Sequence, residues 1–256
     1  MKKIILVTND DGVHSPGIKA LFRAMEPIGD AYMVAPDRER SAVSHALTLH
    51  RPLKVEKLGS NVWSVNGTPT DCVALGIEKL LPRRPDLIVS GINRGGNLGD
   101  DITYSGTVSA AIEGTIFGIA SLAFSLLSDG PPDSKLDYGT AAHLALQVAR
   151  FTLENGLPYD TLLNVNIPNA AIKGVRFTRQ SKRIYHGAIH ETKSPWGEVH
   201  YWIGGGKPFW ERGDDTDMDA VMEGYVSITP IHLDFTNNAA MDWLKRKWGG
   251  DGFSVG

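Results

Sequence analysis

Short, mostly apolar runs recur along this chain, each ending in glycine and oxygen-bearing side chains, with amphipathic helical segments between them. Ile4–Val7, Ala31–Ala35, Leu87–Val89, Ile119–Leu126 and Leu162–Ile167 read as strands, being too short for buried helices. After the first, Ser15-Pro16 gives an N-cap and a proline at the first helical position. Ile18, Leu21, Phe22 and Met25 follow at helical spacing until Pro27 and Gly29 stop the run. Thr68-Pro69-Thr70-Asp71 opens a second helix, with Val73, Ile77, Leu80 and Leu81 as its stripe. A third begins near Val108, with Ala111, Ile112, Thr115 and Ile116 on one face. A fourth spans 138–154 through Ala141, Leu144, Ala145 and Val148. Strands that alternate with helices predict an α/β protein whose predominantly parallel sheet is covered on both faces.

The last third departs from this alternation. Gly174–Gln180 and Val199–Ile203 read as strands, and the polar stretch 181–198 between them as a long hairpin tip. Tyr225–Thr229 reads as a closing strand that ends before Pro230. Asn238–Trp248 reads as a terminal helix with Met241, Leu244 and Trp248 on one side. The expected division is an α/β core over residues 1–170 and a segment over 171–256 that carries the hairpin, the closing strand and the terminal helix.

Composition excludes several classes of function. A net charge of −3 over 256 residues gives no basic field for nucleic acid or an anionic membrane. No apolar run approaches the roughly 20 residues that span a bilayer. The apolar stretch after Met1-Lys2-Lys3 lasts only from Ile4 to Val7, too short for a secretory signal. Cys72 is the single cysteine, so no intrachain disulfide forms, and a reduced, cytoplasmic setting is expected.

In open α/β sheets, ligands bind at the carboxyl ends of the strands. Asn9, Asp10 and Asp11 follow the first strand, a loop containing Ser41 follows the second, and Ser90 to Asn97, with Asn93 in its middle, follows the Leu87–Val89 strand. Asn-Asp-Asp-Gly is also ordinary turn chemistry. Two adjacent acids at a buried strand end need compensation, however, and a hard divalent cation held by oxygen ligands supplies it. Tyr104-Ser105-Gly106-Thr107 stands where a helix begins, a natural anion cradle of free N–H groups at the positive end of the helix dipole. Gly95, Gly96 and Gly99 let a backbone approach a ligand closely. A cation site beside an anion cradle points to phosphoryl chemistry.

Residues 7–12 (VTNDDG), 35–41 (APDRERS), 67–72 (GTPTDC), 89–93 (VSGIN), 97–101 (NLGDD), 104–107 (YSGT) and 223–230 (EGYVSITP) occur in this order. Together they resemble the SurE (survival protein E) family of metal-dependent phosphatases, which act on nucleoside monophosphates. The resemblance runs from residue 4 to about residue 232. It implies a Rossmann-like core, one Mg²⁺ or Mn²⁺ per subunit, and metal ligands at Asp10, Asp11, Ser41 and Asn93. It also implies a homodimer or homotetramer built through an extended C-terminal arm, and activity on 5′- and 3′-nucleotides and short polyphosphates. Asp10 and Asp11 are then the catalytic carboxylates, with Asp10 placed to orient or deprotonate the attacking water. The expected phosphate-binding set is Asn9, Gly95, Gly96, Asn97, Ser105, Gly106 and Thr107.

Other chemistries fit less well. A haloacid-dehalogenase-type phosphatase, with its aspartyl-phosphate intermediate, needs Asp-x-Asp, whereas these acids are adjacent. Cys72 has no arginine six residues on, as a cysteine phosphatase requires. A non-enzymatic dinucleotide-binding module needs Gly-x-Gly-x-x-Gly after the first strand, which is missing. His186 and His190 read as part of a solvated hairpin rather than a zinc pair, and Asp214–Asp219 as a solvated acidic loop.

Overall fold

The structure is a computed structural model that describes residues 2–127, 135–184, 189–203, 209–210 and 213–248. In chain order, the first half comprises β1 (Ile4–Thr8), α1 (Pro16–Met25), β2 (Asp30–Pro36), β3 (Val55–Gly59), β4 (Val62–Val65), α2 (Pro69–Leu75), β5 (Leu87–Arg94), α3 (Gly106–Ile116) and β6 (Ser121–Leu126). The second half comprises α4 (Tyr138–Asn155), β7 (Thr161–Ile167), β8 (Gly174–Phe177), β9 (Arg183–Ile184), β10 (Ile189–Lys193), β11 (Val199–Ile203), β12 (Phe209–Trp210), α5 (Asp217–Met222), β13 (Tyr225–His232) and α6 (Asn238–Trp248). A short 3₁₀ turn, Gly99–Thr103, precedes α3.

Nine strands form one sheet in the order β3-β4-β2-β1-β5-β6-β7-β13-β8. From β4 to β7 every neighbour is parallel. β3 runs antiparallel to β4, and β13 antiparallel to β7. The order reverses direction at β1, since β2 lies on one side of it and β5 on the other. Such a switch point opens a crevice at the carboxyl ends of the strands. The two-residue period of β1 explains the layering. Ile5 and Val7 pack with Ile18, Leu21 and Met25 of α1 and Ala141, Ala145 and Ala149 of α4. Ile4 and Leu6 face the other way, onto Cys72 and Val73 of α2 and Ala110 of α3. Cys72 is thus a buried core residue.

The starts of the helices follow local chemistry. Ser15 and Pro16 begin α1 as the sequence predicts, although the Ser15 hydroxyl makes no cap bond. At α2 a full capping box forms: the Thr68 hydroxyl accepts from Asp71 N–H and the Asp71 carboxylate accepts from Thr68 N–H.

Four local expectations are corrected. The strand expected to stop at Ser90-Gly91 continues to Arg94, because one extra residue between Ser90 and Asn93 bulges out opposite β6 and lets pairing resume. Asn93 therefore sits on a bulged strand and not in a loop. Gly174–Phe177 is not one arm of the predicted hairpin but pairs parallel to β13 at the sheet edge, and the hairpin is β10 with β11, turning at Ser194–Gly197. His190 lies on exposed β10, and His186 lies outside the described residues. The closing strand also passes through Pro230 to His232. The Ile228 carbonyl accepts from Thr178 N–H on the side away from β7, and two residues on the Pro230 nitrogen points the same way, so the ring removes no bond to β7.

α1 seats directly on the bulged strand. A Cβ on Gly17 would stand 2.0 Å from the Ile92 carbonyl oxygen, so only glycine permits this approach. Gly17→Ala is expected to destabilise the protein by roughly 3 kcal/mol and lower Tm by about 6–12 °C in a calorimetric scan. An unchanged Tm would show that the helix can lift from the strand without penalty.

Candidate active site

β1 is covered on both faces, so the chain leaves it still buried: Asn9 is fully buried and Asp10 is 5% exposed. A carboxylate in that position needs partners. The first turn of α3 provides them. The Thr107 hydroxyl and backbone N–H donate to the Asp10 carboxylate. The positive end of the α3 dipole lies at the same point, and Ser105 caps the helix by accepting from Val108 N–H at 3.1 Å. A Cβ on Gly106 would come within 2.7 Å of Asp10 Cβ, so glycine lets the carboxylate sit against the helix. Burial pushes the Asp10 pKa up, and the Thr107 bonds pull it back. The Arg40 N–H donates to the Asp10 carbonyl at 2.7 Å and so ties the loop after β2 to the end of β1.

Asp11 accepts from Arg94 N–H at 3.2 Å. Burial, and then the neighbouring Asp10 charge, push its pKa up to about 6. Ser41 donates to Glu39 at 2.6 Å, and the Asn93 amide donates to the Gly95 carbonyl at 2.9 Å. Asp10, Asp11, Ser41 and Asn93 line one open cleft of about 390 Å³, together with Asn97 and Ser105. The donors that meet there are two carboxylates, a hydroxyl and an amide, all hard oxygens, and both carboxylates are held above their ordinary pKa range. That set fits a divalent cation of the Mg²⁺ or Mn²⁺ type. Among the described residues no three His, Cys, Asp or Glu side chains are placed to hold an ion by themselves, so the Ser41 hydroxyl and the Asn93 amide would have to complete such a set.

The remaining residues expected at the phosphate divide by position. The Asn9 amide is turned inward and donates to the Gly12 carbonyl and the Ser15 hydroxyl at 3.1 and 2.9 Å. Thr107 and Gly106 serve Asp10, as above. The Gly95 N–H donates to the Leu126 carbonyl at 2.9 Å, and Gly96 lies over Leu98 and Leu127. Asn97 does face the cleft, and a buried polar network fixes it. Its N–H donates to Asn166 Oδ1, its side chain donates to Ser125, and its carbonyl accepts from the amides of Asn164 and Asn166.

Glu39, Arg94 and Asp101 line the same cleft without having been given a role from the sequence, and Tyr104, noted only as the start of the expected anion cradle, joins them. All four lie within or beside the runs rich in charge and glycine that follow the strands, which is the signal that could have found them. Asp101 is bound by the Arg183 guanidinium, which reaches in from β9. No sequence signal pointed to Arg183, because the contact joins residues 82 positions apart.

Comparison with known proteins agrees with this architecture. A family model described as survival protein SurE matches residues 5–187. The chain belongs to the SurE family. A 5′-nucleotidase SurE from Syntrophotalea carbinolica is 52% identical over 243 residues, covering 95% of this chain and 96% of the relative. One from Geobacter sulfurreducens is 53% identical, covering 94% and 92%. The crystal structure of the SurE protein from Aquifex aeolicus superposes with a TM-score of 0.85 at 45% identity, covering 96% of this chain and all of that one.

The raised Asp11 pKa makes a stability prediction for the metal-free protein. Below about pH 4 Asp11 is protonated in both the folded and unfolded states. Between about 4 and its folded pKa of about 6, the folded state holds the proton more tightly, so stability falls as pH rises through this window. In Asp11→Asn that decline should be shallower and Tm at pH 7 higher than in the parent. Parallel Tm–pH curves for the two proteins would contradict the assignment.

Proposed function

We propose that this chain is a divalent-metal-dependent 5′-nucleotidase that hydrolyses nucleoside monophosphates to nucleoside and phosphate. The observation that carries the reading is the convergence of Asp10, Asp11, Ser41 and Asn93 from three strand ends on one cleft. The names of the relatives support it. Asp10, Asp11, Ser41 and Asn93 are the residues that would hold the ion, which when bound supplies charge neutralisation at the phosphoryl oxygens and acidifies water.

The chain's own residues do the rest. Thr107 and the first turn of α3 hold Asp10 in one orientation, with one carboxylate oxygen engaged and the group buried at the cleft wall. Asp10 is the group we assign to accept a proton from the attacking water. Ser105 uses its oxygen lone pair to cap α3, and its hydroxyl proton is directed to a phosphate oxygen. The guanidinium of Arg94 and the Asn97 side chain supply further polar groups around the developing charge. These contacts read phosphate rather than base, so 3′-nucleotides and short polyphosphates fall within the proposed range.

A screen of phosphate release over nucleoside 5′- and 3′-monophosphates and tripolyphosphate tests the reading. Activity should vanish on dialysis against EDTA and return with Mg²⁺ or Mn²⁺; full activity in the stripped protein would refute it. Asp11→Asn should lose activity at limiting metal and regain part of it at excess metal. Asp10→Asn should lose at least about 100-fold in kcat, with no rescue by metal.

We also propose a homodimer or homotetramer. No residue of α6 is buried, and it presents Met241, Trp243, Leu244 and Trp248 to solvent. Every residue of β10 and β11 is exposed, including Tyr201 and Trp202 at 65% each. Apolar surface on this scale marks an interaction face. Light scattering at micromolar concentration should give a dimeric or tetrameric mass, and a smaller one for a chain ending at Asp234. A monomeric mass for the full chain would reject the proposal.

A further inference from the structure

The sequence suggests a solvated acidic loop at Asp214–Asp219, and the structure corrects this at its centre. Asp217 is completely buried. Its described partners are three backbone N–H groups: Gly99 at 2.8 Å on Oδ2, and Ser181 at 2.9 Å and Met218 at 2.8 Å on Oδ1. Gly99 opens the turn that lines the cleft, Ser181 lies at the root of the β9–β12 arm, and Met218 belongs to α5. One side chain thus joins three segments that are far apart in sequence.

The junction is reinforced along its length. Gly99 has φ +51°, and a Cβ there would stand 2.4 Å from the Ser181 carbonyl oxygen, so the two backbones lie in direct contact. The Gln180 amide donates to the Gly99 carbonyl at 3.1 Å. Asp100 accepts from Arg183 N–H and from Lys182 Nζ, at 3.2 and 3.3 Å. Asp101, next in the chain, holds the Arg183 guanidinium and lines the cleft. From Gly99 the turn runs without a break through Tyr104 and Ser105, also at the cleft, into α3. Hydrogen bonds to a charged acceptor are worth more than neutral ones, and a buried carboxylate bound only by backbone fixes chain position independently of any side-chain rotamer.

We propose that Asp217 is a positioning residue: it clamps the arm root to the Gly99–Ser105 turn and so sets the substrate-facing wall of the cleft. The effect on turnover rests on the nucleotidase reading, but the clamp does not. Asp10 is held by the first turn of α3, the helix that continues from the clamped turn and packs with it through Ile102, Val108 and Ala111. The clamp therefore bears directly on the substrate wall and reaches Asp10 only through α3, whose own contacts with β5 and β6 also hold it.

Asp217→Asn keeps the size but places an NH₂ group against an N–H donor. Hydrogen–deuterium exchange read by NMR should show the Gly99 and Ser181 amides exchanging about 10- to 100-fold faster, with β1 amides unchanged. KM for a nucleoside 5′-monophosphate should rise about tenfold, while kcat and calorimetric Mn²⁺ affinity stay within about twofold. Asp100→Ala, at a half-buried surface position, covers the case in which the buried variant fails to fold. It should show the same pattern with KM up about threefold. Unchanged exchange at Gly99 and Ser181 would overturn the clamp, and faster exchange with unchanged KM would overturn its positioning role. A parent protein that releases no phosphate from any nucleotide would sink the nucleotidase reading alone, and the exchange experiment would still decide the clamp.

Discussion

The site depends on how one buried carboxylate is held in place. Asp10 leaves a strand covered on both faces, and burial alone would favour its neutral form. The α3 N-terminus is the compensation: a hydroxyl, a backbone N–H and the helix dipole meet at one group. The sequence leads one to expect an anion cradle for phosphate at this position; in the fold the Thr107 hydroxyl there donates to the protein's own carboxylate. That arrangement holds one acid still, whereas the second, Asp11, whose pKa is raised as well, has a single described hydrogen bond, from Arg94 N–H. Two acids side by side are thus not equivalent. One is fixed by the helix, and the other carries a charge that its surroundings disfavour.

Sheet order explains why the remaining donors arrive at the same place. β1 is central, with β2 and β5 parallel to it on either side, so the segments after all three open on the same edge. The bulge in β5 turns Asn93 to that edge, and the contact between Gly17 and Ile92 holds the bulged strand against α1. Asn164 and Asn166 extend the design by one strand, reaching from β7 to lock Asn97.

The strand–helix alternation, the helix starts and the strand-end location of the acids were legible because each is set by local spacing or by topology. Ser15-Pro16 and Thr68 to Asp71 are local signals, and both begin helices. What could not be read depends on contacts between distant parts of the chain. Ser90-Gly91 looks like a turn until β6 supplies a partner across the bulge. Asp217 looks like one solvated acid among several until Gly99 and Ser181 converge on it. Thr107 looks like a phosphate ligand until Asp10 is seen to lie in its reach. In each case the residue type was noticed and its partner was not, because partners so far apart in the chain, 97 residues for Thr107 and Asp10 and 118 for Asp217 and Gly99, leave no periodic trace.

Pro230 has a consequence for self-association of the wrong kind. β8 pairs with Tyr225–Ile228, and among the described residues no strand pairs with the second half of β13 on that side, which makes it a margin of the sheet. Such margins invite any extended chain to dock and continue the ladder. At Pro230 the outward-facing position has no hydrogen to offer, so an incoming strand finds a gap in the row of donors it would need. The proline that looks like a strand terminator is better read as a guard: it leaves the inner pairing with β7 intact while making the outer margin a poor template for fibre growth.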